Sequence, residues 1–258
     1  MRAVLLSLAL LFLQAAAHAG RPCEDQPPTA QSIERALQLA EHTVRMLDAS
    51  GASVVLLARA GQNLSEYRLR YSHFGWVYKT PEGMWRVVHK LNECGTSKSS
   101  IYRQGLGEFF LDNPWRYEAA VAVPTPEVQQ NLLALLRARE RIKMLHQPRY
   151  SMVSYVWGTR YQQSNQWALE TLAAAMMPAN IQTRQQAQAW LQFMGYTPTT
   201  LTIRPLKRLG GNIARANIAF DDHPNAKRFT NRIETVTVDS VLVWLERSQL
   251  ASAPQVVR

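Results

Sequence analysis

Cysteine is scarce: the 258 residues hold two, Cys23 and Cys94. Two thiols without histidines at matching spacing make no zinc site. An even count in an oxidising compartment favours a disulfide, and a Cys23–Cys94 bond would tie the mature N-terminus to the segment after a strand. Acidic residues are also few, 19 against 29 Lys and Arg, giving a formal charge of +10, or +9 without Arg2. The basic residues are dispersed; Arg137, Arg139, Arg141 and Lys143 are expected on one helix, and no basic stripe with interleaved aromatics is present. That pattern argues against a nucleic-acid-binding module. The excess suits anionic partners such as wall polymers or lipid head groups. Low-complexity tracts and internal repeats are absent. Beyond the first nineteen residues no apolar run is long enough to be a transmembrane span.

Those first nineteen residues read as a secretory leader. Arg2 gives a basic start, Val4 to Leu13 an apolar core, and Ala17-His18-Ala19 a processing site before Gly20. Arg21 and Pro22 ahead of Cys23 do not fit a lipoprotein. The product is expected in the periplasm or secreted. The 239 residues left from 258 suit a single α+β domain spanning 20–258, with the elements after about 196 as an appendage.

Apolar residues at helical spacing predict a helix from Ser32 to Leu47, stopped by Gly51, and Ala52 to Ala58 reads as a short buried strand. Tyr71 to Leu91 reads as a hairpin of two strands around the turn Thr80-Pro81-Glu82-Gly83. Phe74, Trp76 and Tyr78 share one face of the first strand, leaving His73, Gly75 and Val77 on the other. Trp85, Val87 and His89 share a face of the second. Glycine inside a strand often marks a close approach by another group. Leu106 to Asn113 reads as irregular, and Arg116 to Val123 as a strand. A long helix is expected from Thr125 and Pro126, stopping before Pro148. An Ala-rich helix follows Tyr161 to Glu170 and ends at Pro178. Thr183 to Met194 carries a Thr-x-x-Gln capping box with a Gly195 stop. Arg232 to Val238 alternates, and Asp239 is expected to cap a terminal helix.

A hydroxyl or thiol nucleophile needs an imidazole in hydrogen-bond reach and a third polar group to fix the imidazole. His73 and His89, on neighbouring strands, offer the base and its partner. Ser164 stands where a helix begins, a place suited to a nucleophile, although serine there ordinarily caps the helix. His146 and His223, each near a proline, read as loop residues. The Asp221-Asp222-His223-Pro224-Asn225 stretch has no second ligand cluster, so neither a metal nor another cofactor is expected.

The stretch Arg59 to Val77, RAGQNLSEYRLRYSHFGWV, resembles the entry of the circularly permuted papain-like superfamily, which includes NlpC-type peptidases and lecithin–retinol acyltransferase relatives. There a [Ser/Thr]-His-x-Gly strand bears the catalytic histidine, a second polar residue ends the next strand, and an Asn-Cys motif opens a later helix. His73, His89 and Ser164 stand at the three places. NECGTSKSSIYRQGLGEFFLDNP and SNQW further resemble an exported bacterial family, domain-of-unknown-function family 2145, over most of the mature chain. The resemblance implies an antiparallel sheet packed against helices in a permuted papain-like fold. It departs at the nucleophile, where Ser164 replaces cysteine and Gln163 the usual asparagine. A serine alkoxide is far harder to form at neutral pH than a thiolate. Two functions therefore stay open. One is a groove binding a cell-envelope peptide, glycan or lipid; the other is an amide or ester hydrolase or acyltransferase with Ser164 as nucleophile and His73 as base.

Overall fold

The computed structural model describes residues 27–138, 140–203 and 217–258. The leader, Cys23 and Arg139 lie outside the described residues. The chain runs α1 (Ala30–Ala49), β1 (Val54–Arg59), β2 (His73–Lys79), β3 (Trp85–Asn92), β4 (Ser99–Gln104), α2 (Leu106–Phe110) and β5 (Ala119–Ala122). It continues with α3 (Pro126–Arg137), α4 (Ser164–Met176), α5 (Arg184–Phe193), β6 (Thr199–Thr202), β7 (Arg232–Thr235), α6 (Val238–Arg247) and β8 (Gln255–Val257). Six strands form one antiparallel sheet in the order β4-β3-β2-β1-β5-β8. The fold is α+β around that sheet.

Both faces of the sheet are covered, which explains why β1 is an unbroken apolar run instead of an alternating one. Val54, Leu56 and Ala58 point, with Phe74, Trp76, Tyr78 and Val88, into a core shared with α3, α4, α5 and α6. Val55 and Leu57 point the other way, with Val77, Trp85 and Val87, against α1 and α2. β6 and β7 pair apart from the main sheet, over a small cluster of Val153, Leu201, Ile203, Phe220 and Ile233. Of the elements after 196, α6 joins the larger core and β8 extends the main sheet beside β5.

Several helix starts follow their local chemistry. The Thr125 hydroxyl accepts from Val128 N with Pro126 at the first helical position, and Thr183 and Gln186 form the reciprocal capping box. Gly195 and Gly83 take φ of +70° and +85°, as the helix stop and the hairpin turn require. Other expectations are corrected. The helix from Pro126 ends at Arg137, and Arg141–Lys143 is a separate 3-10 turn. The break turns Ile142 into the core, where its carbonyl accepts from the Trp167 indole at 3.3 Å. Thr237, not Asp239, caps α6, and the Asp239 carboxylate instead accepts from the backbone N–H groups of Arg70 and Tyr71. Leu106–Phe110, expected to be irregular, is helical and buries Leu106, Phe109 and Phe110.

Candidate functional site

The hairpin brings its two histidines together. His73 Nε2 and His89 Nδ1 lie 2.8 Å apart, with ring centroids 5.1 Å apart. His89 is fully buried, although a polar residue near a strand end is ordinarily solvated, and His73 keeps 8% of its surface. Gly75 makes the approach feasible, because it faces His89 and Val87 and has no side chain to hold them off.

Helix α2 builds the wall of the pair. The Phe109 ring stands edge-on to His89 at 5.3 Å and tilted to His73 at 6.0 Å. Arg59, opposite His73 in the β1–β2 register, donates to the Phe109 carbonyl, pairs with Asp112, and lays its guanidinium over the Phe109 ring. Burial pushes the His73 imidazole well below its ordinary pKa, with Arg59 and then His89 adding to the fall. His89 is lowered to about 4, first by burial and then by Arg59. Both rings are neutral at pH 7. On its far side, His89 Nε2 meets Gln104 Oε1 at 2.7 Å, and Gln104 Nε2 donates to Glu108 Oε1 at 2.9 Å.

Ser164 is the first residue of α4 and is nearly buried. Its N-cap, Gln163, makes no side-chain cap, whereas threonines cap α1, α3, α5 and α6. The Gln163 amide is instead held by Thr235 Oγ1 and the Val236 carbonyl. Ser164 lies beside the buried Tyr150 phenol; burial raises the phenol's pKa, and Ser164 partly offsets the rise. Among the described residues no hydrogen bond joins Ser164 to either histidine. The link is made one residue later. Asn165 accepts from Phe74 N and donates to Ser72 O, both at 3.2 Å, clasping the backbone on either side of His73. The start of α4 is thus pinned to the histidine-bearing end of β2.

Beneath α4 lies a polar network that sequence reasoning did not single out. Glu170 accepts from Arg184 Nε and Nη2, Gln188 Nε2 and Gln162 Nε2, all within 3.0 Å. Lys90, on the α4 face of β3, donates to Gln147 O and Gln162 Oε1, and burial lowers its pKa to about 6. His223, read from sequence as a loop residue, is buried with Nδ1 3.0 Å from Asp222 Oδ1. His146 is lowered to about 4, chiefly by burial. Among the described residues no group of three His, Cys, Asp or Glu could hold a metal, and no helix is long and apolar enough to cross a membrane. Cys94 lies in the turn between β3 and β4.

Residues 46–245 match the profile of a family described as uncharacterized proteins conserved in bacteria, DUF2145. The chain belongs to that family. The match takes in the histidine pair, the α2 wall and the α4 start, so the whole candidate site lies inside the DUF2145 region. No curated protein and no solved structure matches the chain.

Proposed function

We propose that this DUF2145 protein is exported to the bacterial envelope, and that its histidine pair and α4 start form a binding site for an envelope peptide, glycan or lipid on a permuted papain-like scaffold. The observation that carries this reading is the setting of His73. Hydrolysis through Ser164 would need His73 to take a proton and hold it as an imidazolium. Its partner is a neutral histidine, and the charged side chain beside it is Arg59, a cation that disfavours the imidazolium. The recognition groups are nonetheless retained. His73 Nδ1 has no hydrogen-bond partner among the described residues, and the first turn of α4 has no capping side chain. Backbone N–H groups at such a start favour carbonyl or anionic oxygen. The net positive charge suits the same surroundings.

A second reading has its own support. The uncapped start of α4, clasped through Asn165 to the His73 segment, is the arrangement an oxyanion hole beside Ser164 would use. The resemblance to permuted papain-like peptidases and acyltransferases supports it too. A fluorophosphonate probe separates the readings. The binding reading expects no Ser164-dependent labelling, with co-sedimentation on purified wall sacculi or anionic phospholipid vesicles that falls in His73→Ala. Stoichiometric labelling abolished by Ser164→Ala would replace it with the hydrolase. Ser164→Cys gives the geometric control. A depressed cysteine pKa that returns toward about 8.5 when His73→Gln is added places His73 within reach of position 164; a pKa that the His73 change leaves unmoved places it out of reach.

A further inference from the structure

The hydrogen-bond chain through the two histidines has a fixed end. Gln104 closes β4, and Glu108 stands four residues later in α2, its carboxylate accepting from the Gln104 amide nitrogen. A carboxylate can only accept, so it turns the NH2 of Gln104 toward itself and the carbonyl toward His89. That carbonyl also only accepts, so His89 Nε2 carries a hydrogen. A neutral imidazole has one N–H, so His89 Nδ1 is a lone pair, and the 2.8 Å contact to His73 needs a donor on the other side. The donor is His73 Nε2, which leaves a lone pair on His73 Nδ1. Flipping Gln104 would set its carbonyl against the Glu108 carboxylate, acceptor against acceptor, and reverse every donor in the chain.

We propose that Glu108, acting through Gln104, is the positioning residue that sets both histidine tautomers and makes His73 Nδ1 a hydrogen-bond acceptor for the bound ligand. This rests on the reading of His73 as the ligand-facing group. It narrows the ligand chemistry. The group that meets His73 brings an N–H or O–H, as a peptide amide or a sugar hydroxyl does. A deprotonated phosphate or carboxylate oxygen would oppose lone pair to lone pair. The rest of the site supports the assignment: Phe109 walls the pair, and burial, with the nearby Arg59 cation adding to it, favours the uncharged form of both rings.

Two-bond 15N–1H correlation on the histidine-labelled protein at neutral pH reads the tautomers directly, with His73 and His89 assigned by single glutamine replacements. Both rings should show a protonated Nε2 and an unprotonated Nδ1. In Glu108→Lys, a change at an exposed position, the ammonium draws the Gln104 carbonyl, the amide NH2 turns to His89, and both rings shift toward the Nδ1–H form. Adding Gln104→Glu to that variant restores an acceptor against His89 and with it the original tautomers, which a merely structural role for Glu108 would not do. A hydrogen on His73 Nδ1 in the unaltered protein, or tautomers unmoved by Glu108→Lys, overturns the proposal. Sulfate, which carries no O–H at neutral pH, should leave the His73 signals in place, and a saturable shift there would overturn the acceptor assignment. None of these measurements uses hydrolysis or an envelope ligand, so their outcome is independent of the binding reading.

Discussion

Gly75 lies flat against His89: a Cβ built on the glycine would stand 3.0 Å from His89 Cβ, 2.8 Å from Val87 Cγ1 and 2.9 Å from the Val88 carbonyl oxygen. The backbone oxygen cannot step aside without disturbing the β2–β3 ladder. Gly75→Ala should therefore cost about 1–3 kcal/mol in denaturant unfolding, in the manner of an overpacked core, and should displace the His89 ring signals. Unchanged stability and an unmoved ring would mean that the strands are looser than this contact implies.

Acidification should weaken the fold through His89. Its ring has a pKa of about 4 when folded against an ordinary 6.5. Between those values the unfolded chain takes up a proton that the native ring refuses, so stability falls as pH drops from 6.5 to 4 and then levels. The difference corresponds to about 3 kcal/mol. His89→Gln should flatten the stability–pH curve in that window. Lys90 acts in the same direction at higher pH. With a folded pKa of about 6 against 10.5, its contribution rises with pH between those values, and Lys90→Met should remove that slope. Urea titrations across pH 4–10 check both.

The Glu170–Arg184 pair should be costly to break. Both side chains are nearly buried, so Glu170→Ala strands a guanidinium and should lose about 3–5 kcal/mol. Replacing both residues with methionine and leucine should recover only part of that loss, because the Gln162 and Gln188 amides and the Gly158, Thr159 and Tyr161 carbonyls lose partners too. A single variant close to the parent in thermal unfolding would show that water already reaches the pair.

Export and oxidation make a mass prediction. Protein recovered from a periplasm should begin at Gly20 and, unreduced, lack two hydrogens through a Cys23–Cys94 bond. Because the bond would close a long loop, reduction should lower stability by a few kcal/mol, about 2–4. Two free thiols on intact-mass analysis would remove the bond from consideration.

The sheet's centre was legible because its signals are local. The VVLLA run, the alternation around Thr80–Gly83 and the Thr125-Pro126 and Thr183-x-x-Gln186 starts each specify an element within a few residues. The meeting of His73 and His89 was likewise readable from hairpin pairing. Gln104 and Glu108 were not. β4 reads SSIYRQ, an edge strand with little alternation, and α2 is five residues long, too short for helical periodicity to register. Glu170 and Arg184 meet across two helices at a separation of 14 residues, which leaves no local pattern. The clasp of Asn165 on β2 is a contact across 91 residues, which no local pattern announces.

The three residues of β8 carry a responsibility out of proportion to their length. They pair with Ala119, Ala120 and Val121, and Arg258 beyond them is held by the Glu118 carboxylate and, through its carbonyl, by His42 of α1. A chain cut after Pro254 would leave β5 as the outer strand, with an unsatisfied row of N–H and C=O groups flanked by small apolar side chains. Such an edge is a template for strand addition by another copy. The shortened protein should then self-associate with rising concentration while its interior remains folded, so that colloidal behaviour, not melting, would be the first property lost.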